Sequence, residues 1–85
     1  MILRKYDDPG HGWLKCPRLL LTRLNLIDKV SRYSYQRGDY VYLEEDCDMG
    51  LLFDALKAEG QPLTWRTYTG NRCSKIRNYD CFSPT

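Results

Sequence analysis

The only histidine of the chain, His11, stands between two glycines in the stretch Asp7-Asp8-Pro9-Gly10-His11-Gly12-Trp13. An imidazole in that setting is a candidate general base or ligand donor, because flanking glycines let a bound group approach the backbone N–H groups. Catalysis needs more than a histidine. No nucleophile or metal-ligand spacing accompanies His11, and Pro9-Gly10 is a turn signal in its own right. Gly10-His11-Gly12 also lacks the glycine spacing and the Lys-Ser/Thr ending of a phosphate-binding loop. The stretch is therefore read as a turn that serves binding, with Trp13 as a neighbouring stacking surface.

A second group with chemistry in it is basic. Arg66, Arg72, Lys75 and Arg77 follow one another with no acid between them, interleaved with Ser74, Asn78 and Tyr79 and preceded by Trp65 and Tyr68. Guanidinium forks suit phosphate, and tyrosine and tryptophan offer faces on which a base can stack. Ile76, Tyr79 and Phe82 are out of place in a solvated tail, so residues 70–85 are expected as an irregular segment packed on the domain. The His11 turn is expected beside this segment, with backbone N–H groups and arginines converging on one anion-friendly concavity. On that reading His11→Ala weakens ligand binding modestly, and Arg72→Ala or Arg77→Ala weakens it more.

The third group is acidic. Glu44, Glu45, Asp46 and Asp48 lie within five residues where a helix is expected to begin. Carboxylates there complement the helix dipole and cap free N–H groups, which is the reading adopted in preference to a Mg²⁺ or Ca²⁺ site. The cysteines at 16, 47, 73 and 81 form no C-x-x-C pair, and the histidine falls outside any ligand pattern. No metal site and no cofactor are expected. The binding set is His11, Trp13, Tyr33, Tyr35, Arg37, Arg66, Arg72, Lys75, Arg77 and Tyr79, with no catalytic residue assigned.

These groups must be positioned by one small domain spanning residues 1–85. A chain of this size buries only roughly 60% of its unfolded surface, so partners often add stability. Hydrophobic residues make up 42% and charged residues 28%, which is globular rather than disordered composition. Tyrosine accounts for seven of the eleven aromatics, and its polar tip suits a surface that touches something. A net charge of +2 is too small to mark a nucleic-acid binder and too positive for a DNA mimic. The opening residues predict neither a signal peptide nor a membrane span, and the cysteines are expected to be reduced in the cytosol.

Residues 2–6 and 12–16 read as strands closing a hairpin, and a helix over 17–25 follows, with Leu20, Leu21, Leu24 and Ile27 on one face. Asn25 is expected to end it in the left-handed conformation, with Leu26 folding back. Strands over 31–35 and 40–43 flank a four-residue loop that contains Arg37-Gly38-Asp39. A helix over 47–59 is closed by Gly60 and Pro62, and a last strand covers 63–68. The order predicts an α+β fold: a small ferredoxin-like (split β-α-β) sandwich. Its sheet is mostly antiparallel, with two helices on one face and an extra N-terminal strand. The other face needs a cover, and a homodimer or higher oligomer is expected to provide it.

Taken together, DPGHGWLKCP, SRYSYQRGDYVYLEEDCD and SKIRNYDCF resemble the signature of a group of small proteins from bacteriophages and mobile elements. The resemblance spans nearly the whole chain. It implies no particular activity and carries over no catalytic residue. What it implies is a setting: a phage accessory protein in the host cytosol that counters host defence by binding. The expected function is thus a non-enzymatic inhibitor that holds a host defence protein or sequesters a phosphate-bearing nucleotide signal. A nucleic-acid-binding accessory protein is the first alternative, and a small enzyme using His11 is the second.

Overall fold

Two tight turns lay out the sheet in the computed structural model, which describes residues 1–85. Strand β1 (Ile2–Asp7) reverses through residues 8–11 into β2 (Gly12–Pro17), with the Asp8 N–H donating to the His11 carbonyl at 2.8 Å. Strand β3 (Tyr35–Arg37) reverses over Gly38 and Asp39 into β4 (Tyr40–Glu44). Gly38 has φ of 57° and Asp39 does not take a positive φ, which fits a two-residue turn with glycine first. The loop is shorter than the four residues expected, and β3 starts at Tyr35 rather than at residue 31. Residues 31–34 turn instead, because the buried Asp48 carboxylate accepts from the Ser31 N–H (3.0 Å), the Ser31 hydroxyl (2.6 Å) and the Ser34 hydroxyl (2.5 Å). Tyr33 therefore leaves the strand.

The helices close as their sequences require. Helix α1 (Arg18–Arg23) stops when Asn25 takes φ of 59°; the Asn25 N–H then reaches the Thr22 carbonyl and the Leu26 N–H the Leu21 carbonyl. Helix α2 (Met49–Ala58) ends the same way: Gly60 has φ of 74°, and the N–H groups of Gly60 and Gln61 reach the Lys57 and Leu56 carbonyls. In both, the left-handed residue turns the chain back so that orphan carbonyls are used and the next apolar residue meets the core. Leu20, Leu21, Leu26, Met49, Leu52 and Leu56 share one cluster with Leu14, Cys16, Val41 and Leu43 of the sheet. Both helices therefore lie on the same face. Burial there pushes the Cys16 thiol up to about 12.

The sheet has six strands in the order β5-β1-β2-β4-β3-β6, where β5 is Thr64–Thr69 and β6 is Asp80–Cys81. Every pairing is antiparallel except β1 with β5. The α+β class and the two helices agree with the sequence reading, but the strand order departs from the ferredoxin-like one. That arrangement puts the last strand beside β2, whereas here β1 holds that edge and β5 pairs beyond it. A strand joined by a tight turn closes its ladder at little entropic cost, so β1 claims the edge that a distant strand would otherwise take.

The chain itself covers the middle of the second face. A 3-10 turn at Lys75–Asn78 drops Ile76 against Trp13 and Tyr42, and Tyr79 packs on Tyr42 with ring centroids 5.1 Å apart. Strand β6 then adds to β3, and Phe82 passes into the main core. Over β2 and β4 the cover is thus internal, whereas Arg4, Tyr40, Arg66 and Tyr68 on the same face stay exposed. No helix is long and apolar enough to cross a membrane.

Candidate functional site

Strand register writes rows of like side chains across the second face. Arg4 pairs with Arg66 of β5 and with Lys15 of β2, and two residues along, Tyr6 pairs with Tyr68 and Trp13. Residues opposite one another project from one face, so three cations lie side by side, next to a row of three aromatics. Neighbouring strands are about 4.8 Å apart, which places the three Cα atoms within roughly 10 Å. The ion pairs of the structure involve Lys5, His11, Arg23 and Arg77, and none reaches this row. Two of its three cations rest on rings instead, Arg4 at 6.0 Å from the Tyr68 centroid and Lys15 at 4.2 Å from that of Tyr40. Like charges directly opposed in a sheet repel, and an anion laid across them removes the repulsion.

The covering segment adds to this row. Arg72 lines a shallow cleft with Tyr6, Tyr68 and Ser74, and Lys75 and Tyr79 line another with Tyr6, Lys15 and Tyr42. Arg37 lies 5.0 Å over the Tyr79 ring. Burial raises the Tyr42 hydroxyl above its ordinary pKa. Among strand positions on this face, the one acid is Glu44, opposite Trp13. Of the sequence-derived set, Arg37, Arg66, Arg72, Lys75 and Tyr79 fall here. Arg4, Lys15, Tyr6 and Tyr40 were missed, since each is unremarkable until strand pairing aligns it.

His11, Trp13, Tyr33, Tyr35 and Arg77 come together elsewhere, in a cleft of about 230 Å³ that Glu44, Asp46 and Cys47 complete. The expected proximity of the turn to the C-terminal segment is real, but its chemistry is different. The Asp8 carboxylate occupies the seat: it accepts from the N–H groups of Gly10 and His11 (each 3.0 Å) and of Ser74 (2.9 Å). Arg77 grips it through Nε (2.6 Å) and Nη2 (2.8 Å) while its guanidinium lies 5.3 Å from the Trp13 ring centroid. Arg77 first, then these N–H groups, hold the Asp8 carboxyl well below the usual carboxylate range. The anion that the turn was expected to receive from outside is the side chain of its own first residue. Arg77 is a structural partner, and its removal acts on the fold before it acts on any ligand.

The acidic run also divides differently from the helix-capping reading. Glu44 Oε2 accepts from the N–H groups of Asp46 (2.9 Å) and Cys47 (2.8 Å) in the turn before α2, Asp48 serves Ser31 and Ser34, and α2 carries no side-chain cap. Glu45 and Asp7 hold the buried Lys5 ammonium at 2.8 and 2.5 Å, packed over Gly12. What remains is Glu44 Oε1, buried and without a hydrogen-bond partner, 3.5 Å from His11 Nδ1. Trp13 Nε1 is buried and unpartnered too. These two orphaned side-chain atoms belong to residues of the one cleft. No protein-family description, curated protein or solved structure matches the chain.

Proposed function

We propose that the protein is a non-enzymatic binding protein that takes a phosphate-bearing nucleotide across the Arg66–Arg4–Lys15 row. In the phage setting that the sequence resemblance implies, it counters host defence by sequestering a nucleotide signal in the host cytosol. The observation that carries the reading is the row itself: three opposed cations without an ion-pair partner, beside the stacked rings of Tyr68 and Tyr6. Phosphate answers the charge, a base answers the rings, and Arg72 and Lys75 stand at the border to close on the ligand. Between blocking a host protein and holding a nucleotide, this chemistry favours the nucleotide.

A single-stranded nucleic acid shares that chemistry, and the row reaches the outer strand of the sheet, where a longer ligand could continue. Calorimetric titration with a cyclic dinucleotide and with a short single-stranded oligonucleotide separates the two. The dinucleotide is expected to bind, with Arg4→Ala and Arg66→Ala each weakening it by about tenfold or more, as for loss of a charge-assisted hydrogen bond. Each substitution should also lower the salt dependence by roughly one phosphate contact. Binding of the oligonucleotide alone makes the ligand a strand. Binding that both substitutions leave unchanged, or no binding of either probe, overturns the reading.

A further inference from the structure

The His11 cleft carries an inference that the cation row does not touch. Glu44 is held in place: its Oε2 is used by two backbone N–H groups, its side chain is 8% exposed, and its Oε1 faces His11 Nδ1 at 3.5 Å, beside the Cys47 thiol, without completing a hydrogen bond. A buried carboxylate oxygen without a donor is destabilising, so one left in place signals an absent partner. The partner has a position. Ligand atoms of His11, Glu44 and Asp46 all lie within 4.8 Å of one another.

We infer that the floor of this cleft is a site for a divalent transition-metal ion of the zinc type, held by a ring nitrogen of His11, Oε1 of Glu44 and a carboxylate oxygen of Asp46. Charge favours a cation there. Arg77, the one positive group in the lining, is neutralised by its bidentate pairing with Asp8, so Glu44 and Asp46 leave the cleft formally negative. Donor type chooses the ion: imidazole suits zinc and its neighbours, whereas Mg²⁺ and Ca²⁺ prefer oxygen alone. Tetrahedral zinc places its donors about 3.3 Å apart, which requires a closure of up to about 1.5 Å from the separations here. Asp46, exposed on the turn before α2, is free to supply it. Three protein donors leave a position open to water or to a ligand atom, as in zinc sites that do more than hold a fold. That open position lies in a cleft whose aromatic walls are Trp13, Tyr33 and Tyr35.

The site was invisible in the sequence because His11 and Glu44 are far apart along the chain and become neighbours only through the pairing of Trp13 with Glu44. The test is zinc titration by calorimetry of the full chain, under a non-chelating reductant, in a Cys73→Ser/Cys81→Ser background that removes two exposed thiols. One equivalent should bind, a matching equivalent of Co²⁺ should give the intense visible bands of a four-coordinate ion, and zinc should raise the melting temperature. His11→Ala and Glu44→Gln are each expected to lower affinity by at least roughly tenfold. Asp54→Asn, an exposed acid on α2, should not. Glutamine preserves the acceptor for the two N–H groups, so Glu44→Gln keeps the turn, and the metal-free melting temperature verifies that it does. Zinc affinity that survives both substitutions but disappears with Cys47→Ser shows capture by a surface thiol and overturns the proposal. So does an absence of zinc binding by the parent chain.

Discussion

Asp8 is the residue on which the geometry of the 8–11 turn rests. Its carboxylate is buried and takes five donors, two of them from Arg77. Arg77→Ala strands the Asp8 carboxylate and Asp8→Ala leaves three N–H groups without their acceptor, so either should lower the urea midpoint. The pH dependence has a definite sign. The folded pKa is depressed, so the stability Asp8 contributes is fully present above the unfolded value of about 3.9 and is lost as pH falls below it. The stability gap between the protein and Asp8→Asn is expected to narrow on acidification below about pH 4; a gap that stays constant to pH 2 would refute this account. Cysteine chemistry is decided at the same scale. Cys16 is fully buried with its thiol pushed up to about 12, whereas Cys47, Cys73 and Cys81 are exposed. Alkylation of the native protein should therefore add three labels by mass, and the fourth only after unfolding.

At the scale of elements, the helix ends matter more than the helices. Helix α1 has six residues and α2 ten, lengths that are marginal in isolation and depend on packing and termination. Gly60 supplies the positive φ at which α2 stops, and a side chain there is strained by roughly 1–2 kcal/mol. Gly60→Ala is expected to lower the urea midpoint by a corresponding amount with no change in slope, and an unchanged midpoint would count against the assigned cap. Asn25 does the same task for α1 at lower cost, because a short polar side chain tolerates the left-handed region.

At the scale of the whole molecule, the last residues are structural. Ile76 seals the second face over Trp13 and Tyr42, Arg77 secures Asp8, and Phe82 joins the main core. Losing a buried phenylalanine alone costs about 3–5 kcal/mol, comparable to the whole stability of a small domain. A chain ending at Cys73 should lose cooperative unfolding and bind a hydrophobic dye. If it retained a sharp thermal transition, the C-terminal segment would be an accessory rather than part of the fold. The same segment brings Arg72 and Lys75 to the cation row, so folding and the proposed binding depend on one strap of chain.

What could be read from the residues alone was everything that local chemistry dictates. Asp-Asp-Pro-Gly makes a turn, Asn25 and Gly60 end helices, the leucine spacing makes two apolar faces, and Ile76, Tyr79 and Phe82 announce a tail that packs. These signals act over a few residues, where backbone sterics and side-chain period leave little choice. The tertiary structure decided what depends on pairing between distant segments. It inserted β1 between β2 and β5, turned residues 31–34 away from the sheet through Asp48, and spent Arg77 and the turn's N–H groups on Asp8. It also aligned Arg66, Arg4 and Lys15, and set Glu44 against His11. A strand's register is chosen by which apolar rows meet across the sheet, and a shift of one residue sends every side chain to the opposite face. No single segment contains that information, so the neighbours of a charge stay undetermined until the sheet has closed.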